Sequence, residues 1–176
     1  MKVLSVLLLT LLSFCVFAQF SDPSPWPEIR KKRIATLLPS ALKASKVDAW
    51  LVICRENNND PLASHVGCEN AGQTAVFLFF HHKQKFHSMA FSPAGEATAL
   101  NDVNLLNEVV AVDRNASAIH IAADFIREKN FSNIAINMSS KNAQADGISF
   151  TQYQQLTKAL GETLSQRLTS SDEIIY

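Results

Sequence analysis

The sequence is short of the features that define several protein classes. It has no excess of either charge sign, with 16 Lys and Arg against 16 Asp and Glu, so nothing electrostatic favours nucleic acid or an anionic membrane surface. Only five glycines and six prolines occur in 176 residues, too few for collagen-like or low-complexity structure. Charged residues are 18% of the chain and apolar ones 47%, a balance that excludes disorder and favours a packed core. There is no GxSxG elbow, no glycine-rich phosphate loop, no HExxH and no CxxC. No internal repeat is visible. One globular domain fits this length.

The first 18 residues read as a removable leader. Lys2 supplies the positive start, residues 3–17 form an apolar run, and Val16-Phe17-Ala18 offers a cleavage site after Ala18. The run is short for a hydrocarbon core of about 30 Å. Two readings compete: a lipoprotein signal ending at Cys15, which bulky Phe14 disfavours, and a retained anchor. Cleavage predicts a secreted or periplasmic protein of about 158 residues, with no stable membrane anchor.

Export changes the meaning of the cysteines. Cys15 leaves with the leader, and Cys54 and Cys68 can pair in an oxidising compartment. The other readings are that Cys54, ending an apolar strand, is a small buried hydrophobe, or that Cys54, His65 and Cys68 form part of a metal cluster, which is weak with three ligands.

Residues 19–27 (Pro23, Pro25, Pro27) read as an extended linker. A helix is predicted over 28–46, burying Ile34, Leu37, Leu38 and Ala41 and kinked or divided at Pro39. Its cluster Arg30, Lys31, Lys32 and Arg33 reads as a solvated face rather than a polyanion patch. Strands are predicted over 48–54, 74–80, 86–91, 109–112 and 133–137, the first two apolar enough to be covered on both faces. A helix over 117–129 buries Ile119, Ala122, Ala123 and Ile126. Another, over 150–160, starts from a Ser149/Gln152 capping box and is read with Phe150, Tyr153, Thr157 and Leu160 on one face. The order predicts an α/β fold, one mixed sheet flanked by helices.

Residues 170–176 read as a helix start, with Ser170 as cap and Glu173 in the capping-box position. A helix of one turn is not stable alone, so either this tail docks elsewhere or the polypeptide continues.

Chemistry-bearing residues are sparse. His81, His82 and His87 are the local concentration of imidazoles; in one continuous strand His81 and His87 share a face. No carboxylate neighbours them, and Lys83 and Lys85 suit a polar hairpin tip better than zinc. Arg55, Glu56, Asn58 and Asp60, in RENNNDP after an apolar strand, stand where α/β sheets place their sites. They form the candidate interface loop, against the plainer reading of a structural turn. Asn115, Asn130 and Asn137 begin N-x-Ser sequons, relevant only in a eukaryotic secretory route. No catalytic or metal-binding residue is assigned.

The run IRKKRIATLLP (29–39) followed by VDAWLVI (47–53) resembles the N-terminal domain of the Xaa-Pro aminopeptidase/creatinase (pita-bread) family. RENNNDP is similar to an RExNxDP segment of an exported bacterial branch, matched at Arg55, Glu56, Asn58, Asp60 and Pro61. TAVFLFF (74–80) and SSDEIIY (170–176) resemble that branch's apolar strand and linker-helix start. The resemblance spans 28–176, by order of elements more than by motif over 81–148. It implies a domain over 28–169 and a linker helix beginning at 170–176. In the family, two divalent metals held by two Asp, one His and two Glu lie downstream of that helix. No position here matches them, so no cofactor and no peptidase activity are expected of this chain alone. The implied role is oligomerisation and covering a neighbouring active site, in a truncated or fragmentary product. The implied partners are a second copy or a catalytic domain. The alternative is a free-standing secreted binding module using the RENNNDP loop; an independent hydrolase using the histidines is the weakest reading.

Overall fold

The computed structural model describes residues 24–69 and 71–175. The expected leader, 1–18, and the start of the Pro-rich segment lie outside the described residues.

Six strands form one mixed sheet. They are β1 (Ala49–Cys54), β2 (Ala75–His82), β3 (Lys85–Pro93), β4 (Glu108–Val112), β5 (Ile134–Ile136) and β6 (Leu168–Ser170), in the spatial order β4-β3-β2-β1-β5-β6. β1 pairs antiparallel to β2, and β2 to β3; β1–β5, β3–β4 and β5–β6 are parallel. β1 is buried along its whole length, as its near-continuous apolar sequence requires. Period-two alternation divides its side chains between two cores. Ala49, Leu51 and Ile53 join Val76, Leu78 and Phe91 on one face; Trp50, Val52 and Cys54 join Phe77 and Phe79 on the other.

Eight α-helical segments flank the sheet among the described residues: α1 (Trp26–Lys32), α2 (Leu38–Ala44), α3 (Ala63–Val66), α4 (Ala94–Val103), α5 (Ala118–Lys129), α6 (Phe150–Leu160), α7 (Glu162–Ser165) and α8 (Asp172–Ile175). α5 and α6 cover the first core; α2, α3 and α8 contribute to the second. The mixed α/β architecture is the predicted one.

The differences have local causes. The first helix starts at Trp26, inside the segment read as linker, and joins α2 through a π-helical turn, Arg33–Leu37. Pro39 has no N–H, and the Leu38 N–H reaches back five residues to Arg33 O, widening the turn. Of the expected stripe, Ile34 is buried and Leu38 and Ala41 pack half-buried on the second core; the extra residue puts Leu42 into the stripe in place of Leu37. Leu42 is fully buried, whereas Leu37 is 62% exposed.

In α6 the Ser149/Gln152 capping box forms as predicted: Ser149 Oγ accepts from Gln152 N at 3.2 Å, and Gln152 Oε1 from Ser149 N at 2.9 Å. That reach back draws Gln152 inward, so the buried stripe is Gln152, Leu156 and Leu160. Phe150, expected on the core face, is exposed.

α4 and β6 had no counterpart in the sequence reading. α4 carries one fully buried side chain, Ala97, and its periodicity is correspondingly faint. β6 is three residues long and takes in Ser170, read as a helix cap. The following helix begins at Asp172, whose N–H Ser170 Oγ accepts at 3.1 Å.

The polar hairpin tip forms, and it separates the two histidines that one continuous strand would have placed on one face. His82 pairs with Lys85 and His81 with Phe86, leaving Lys83 and Gln84 as a two-residue turn with φ of 49° and 64°. The turn reverses the chain, so His87 lies opposite Phe80 and His81 opposite Phe86, on different faces. His87 stacks on Phe80, while His81 Nε2 lies 3.0 Å from Pro39 O. Positive φ at both central positions defines a type I′ turn, which favours Asn-Gly over Lys-Gln. The double substitution Lys83→Asn/Gln84→Gly is therefore expected to raise unfolding free energy by about 1 kcal/mol in urea melts.

Candidate functional site

β1, β5 and β6 run parallel, so their C-terminal ends emerge together, the place where α/β sheets gather functional groups. Four buried polar side chains meet there. Asn137, directly after β5, is 1% exposed; its Oδ1 accepts from Trp50 Nε1 and from Ser171 Oγ, each at 2.7 Å. Its Nδ2 donates to Asp60 Oδ2 at 2.7 Å, and Asp60 Oδ1 accepts from Leu62 N at 2.9 Å. Trp50 and Ser171 are donors here, so the Asn137 amide has only one workable orientation. The backbone carbonyl of Asn137 accepts from Gly147 N and Ile148 N, both at 2.9 Å. A Cβ on Gly147 would collide with the Asp60 carboxylate and lie 2.6 Å from the Pro61 ring. The cluster thus ties β1, the loop after it, β5 and the chain entering α8.

Burial pushes the Asp60 carboxyl up from 3.8, overcoming the hydrogen bonds from Leu62 and Asn137 that pull it down. The folded state therefore binds the Asp60 proton more tightly than the unfolded chain. This contribution to stability is fully present below pH 3.8 and is lost as pH rises through the raised value. In Asp60→Asn the amide has one oxygen for two donors, so its NH2 would face either Asn137 Nδ2 or Leu62 N–H and the variant is less stable. Its deficit relative to wild type should be largest near pH 4 and narrow towards pH 7 in urea melts, because only wild type carries this titration.

The candidate interface loop is divided by the fold. Arg55 and Glu56 are exposed on a turn closed by Asn58 N donating to Arg55 O at 3.0 Å; Asn58 is half-buried. Asp60 is 3% exposed and faces inward, so it serves the buried cluster rather than an open surface. Of the cluster, the sequence reading singled out only Asp60, with Asn137 noticed as a sequon. Asn137 is too buried to be glycosylated in the folded chain, whereas Asn115 and Asn130 are exposed. The one local hint was a polar residue closing the apolar strand IAI.

Cys54 and Cys68 are paired as a disulfide, with Cα atoms 6.0 Å apart, within the normal span of such a bond. This pairing takes both thiols from the alternative cluster with His65, whose Nδ1 lies 3.4 Å from Arg33 Nη1 and whose ring meets Trp26 edge-on. Among the described residues, no three His, Cys, Asp or Glu side chains group so as to hold a metal ion. The basic cluster is also divided. Lys31, Lys32 and Arg33 are exposed, but Arg30 is buried and paired with Glu69 at 2.6 Å, because α1 lies against the loop after α3.

No family model and no curated protein matches the sequence. Solved structures do resemble the fold. A Creatine_N superfamily domain of a dipeptidase from Streptococcus thermophilus aligns with TM-score 0.56 and 13% identity, over 81% of this chain and 95% of that one. An Xaa-Pro dipeptidase from Bacillus anthracis aligns with TM-score 0.54 and 14% identity, over 85% of this chain and 34% of its own. An X-Pro aminopeptidase from Thermotoga maritima MSB8 gives TM-score 0.50 and 15% identity, over 69% and 31%. The chain thus spans about a third of the two peptidases and nearly all of the single domain. Its fold is that of the creatinase N-like domains of Xaa-Pro peptidases.

Proposed function

We propose that this chain is the non-catalytic N-terminal domain of an exported Xaa-Pro peptidase-like protein, serving oligomerisation and the covering of an active site. The observation that carries the reading is the extent of the structural likeness: a whole creatinase N-like domain, but only a third of a full dipeptidase. The partner is a second copy or a catalytic domain, and any divalent-metal pair belongs to the latter. Arg55 and Glu56, exposed beside the strand ends, are the part of the loop available to such a partner. Export to an oxidising compartment accords with the Cys54–Cys68 pairing.

Metal-dependent peptidases need a bound cation to activate water. The purified chain, incubated with manganese, cobalt or zinc, is expected to release no amino acid from an Xaa-Pro dipeptide above the blank. Robust turnover abolished by a chelator would overturn the reading. Light scattering tests the assembly role: self-association lost on Arg55→Asp/Glu56→Arg supports the loop as interface, and unchanged assembly excludes it.

A further inference from the structure

A groove of about 380 Å³ opens where the π turn and α2 meet α3 and α8, on the second-core side of the sheet. Leu37, Leu38, Trp50, Val66, Ile174 and Ile175 supply much of its wall. The extra residue of the π turn shapes its edge, leaving Leu37 62% exposed there. Leu38, Ala41 and Ile175 line it half-buried. Trp50 offers the groove no polar group, because its single donor, Nε1, is given to Asn137. Apolar side chains gathered in a concavity, rather than scattered singly, mark a place for an apolar ligand.

The polar groups narrow the chemistry. Arg33, His65 and Gln144 also line the groove, and all three are exposed. The Arg33 guanidinium lies 5.4 Å from the Trp26 ring centre, with Nη1 3.4 Å from His65 Nδ1. Arg33 makes no ion pair among the described residues, and no Asp or Glu among them lines the groove. One uncompensated guanidinium beside apolar walls favours a single carboxylate, which can accept two parallel N–H bonds from its fork. The same charge disfavours a cationic amphiphile. The volume falls at the low end of the roughly 300–1,000 Å³ of ligand pockets, which suits one short chain. We propose that this groove binds a medium-chain fatty acid: its carboxylate accepts from Arg33, and its chain packs along Leu37, Leu38, Val66 and Ile175. The site is separate from the Arg55/Glu56 loop and does not depend on the proposed domain role.

Calorimetric titration of the whole chain with decanoate at about pH 8 tests it, with an expected Kd of about 0.1 mM or tighter. Octanoate should bind about tenfold more weakly, through the loss of two buried methylenes. Decylamine should also bind about tenfold more weakly or worse, because its charge is reversed. Arg33→Gln and Leu37→Glu alter exposed side chains, so the unfolding transition stays in place. Arg33→Gln should weaken decanoate binding about fivefold, and Leu37→Glu, which sets a carboxylate in the groove, should abolish it. Phe150→Ser, at an exposed aromatic outside the groove, should leave binding unchanged. The proposal is overturned by no heat up to about 10 mM decanoate, or by octanoate or decylamine binding as tightly as decanoate. Full binding by Arg33→Gln or Leu37→Glu, or an equal loss in Phe150→Ser, overturns it as well. So does a dimer in light scattering that dissociates on Leu37→Glu without decanoate binding, which would give the groove to a second copy.

Discussion

Asn137→Ala is expected to lower the unfolding free energy by about 3–4 kcal/mol, measured as a fall in urea midpoint at unchanged slope. The size follows from the number of groups that lose their partner. Trp50 Nε1, Ser171 Oγ and Asp60 Oδ2 each face the Asn137 amide at 2.7 Å, and all four residues are buried. Each buried group left unmet costs about 1–3 kcal/mol, reduced where water enters the space or neighbours relax. Asn137→Asp separates shape from hydrogen-bond polarity. It keeps the volume but sets a second carboxylate against Asp60, a pairing that raises the pKa of one member. Its instability should therefore ease on acidification from pH 7 to pH 5, and by more than that of Asn137→Ala, which only removes the hydrogen bond that lowers Asp60 and adds no second carboxylate. Equal deficits for the two variants at both pH values would refute the polarity argument.

Removing the disulfide in Cys54→Ala/Cys68→Ala is expected to cost about 3 kcal/mol, the chain-entropy figure for a loop of this size, whose ends are 14 residues apart. The loop begins with the polar run Arg55 through Asn59, exposed but for half-buried Asn58, and is otherwise held by Asp60 in the buried cluster and by Leu62, Ala63 and Val66 on the second core. The double variant should show faster amide exchange over 55–67 than over β2 or β3. Mass spectrometry after alkylation without reductant checks the bond itself: an unmodified Cys54/Cys68 pair is expected. Two alkylated thiols with wild-type stability would remove the loop-closure account.

How much of this was legible follows from range. β1 and β2 could be read because strands buried on both faces need unbroken apolar runs, and AWLVIC and AVFLFF are such runs. α5 announced itself through Ser117 and the spacing of Ile119, Ala122, Ala123 and Ile126. The capping box of α6 is local and could be read; the face it buries could not, because Gln152 is turned inward by the cap itself. α4 and β6 were missed because neighbours, rather than their own pattern, hold them in place. The π turn before Pro39 was foreseen as a disturbance, but its effect, exposing Leu37 and burying Leu42, depends on counting one extra residue per turn.

The site divides in the same way. RENNNDP was visible as an unusual polar segment, and Arg55 and Glu56 remain exposed as a surface loop would be. Asp60 belongs to a different object, whose other members are 10, 77 and 111 residues away in the chain. Hydrophobic periodicity, caps and turn residues act over a few positions, so the sequence by itself determined a mixed α/β domain, its central strands and its best helix. Only the tertiary structure decided which polar residues are buried together. A lone Asp, Asn, Trp or Ser carries no local sign of its partner, and the parallel pairing of β1, β5 and β6 is what brings these four into hydrogen-bond range.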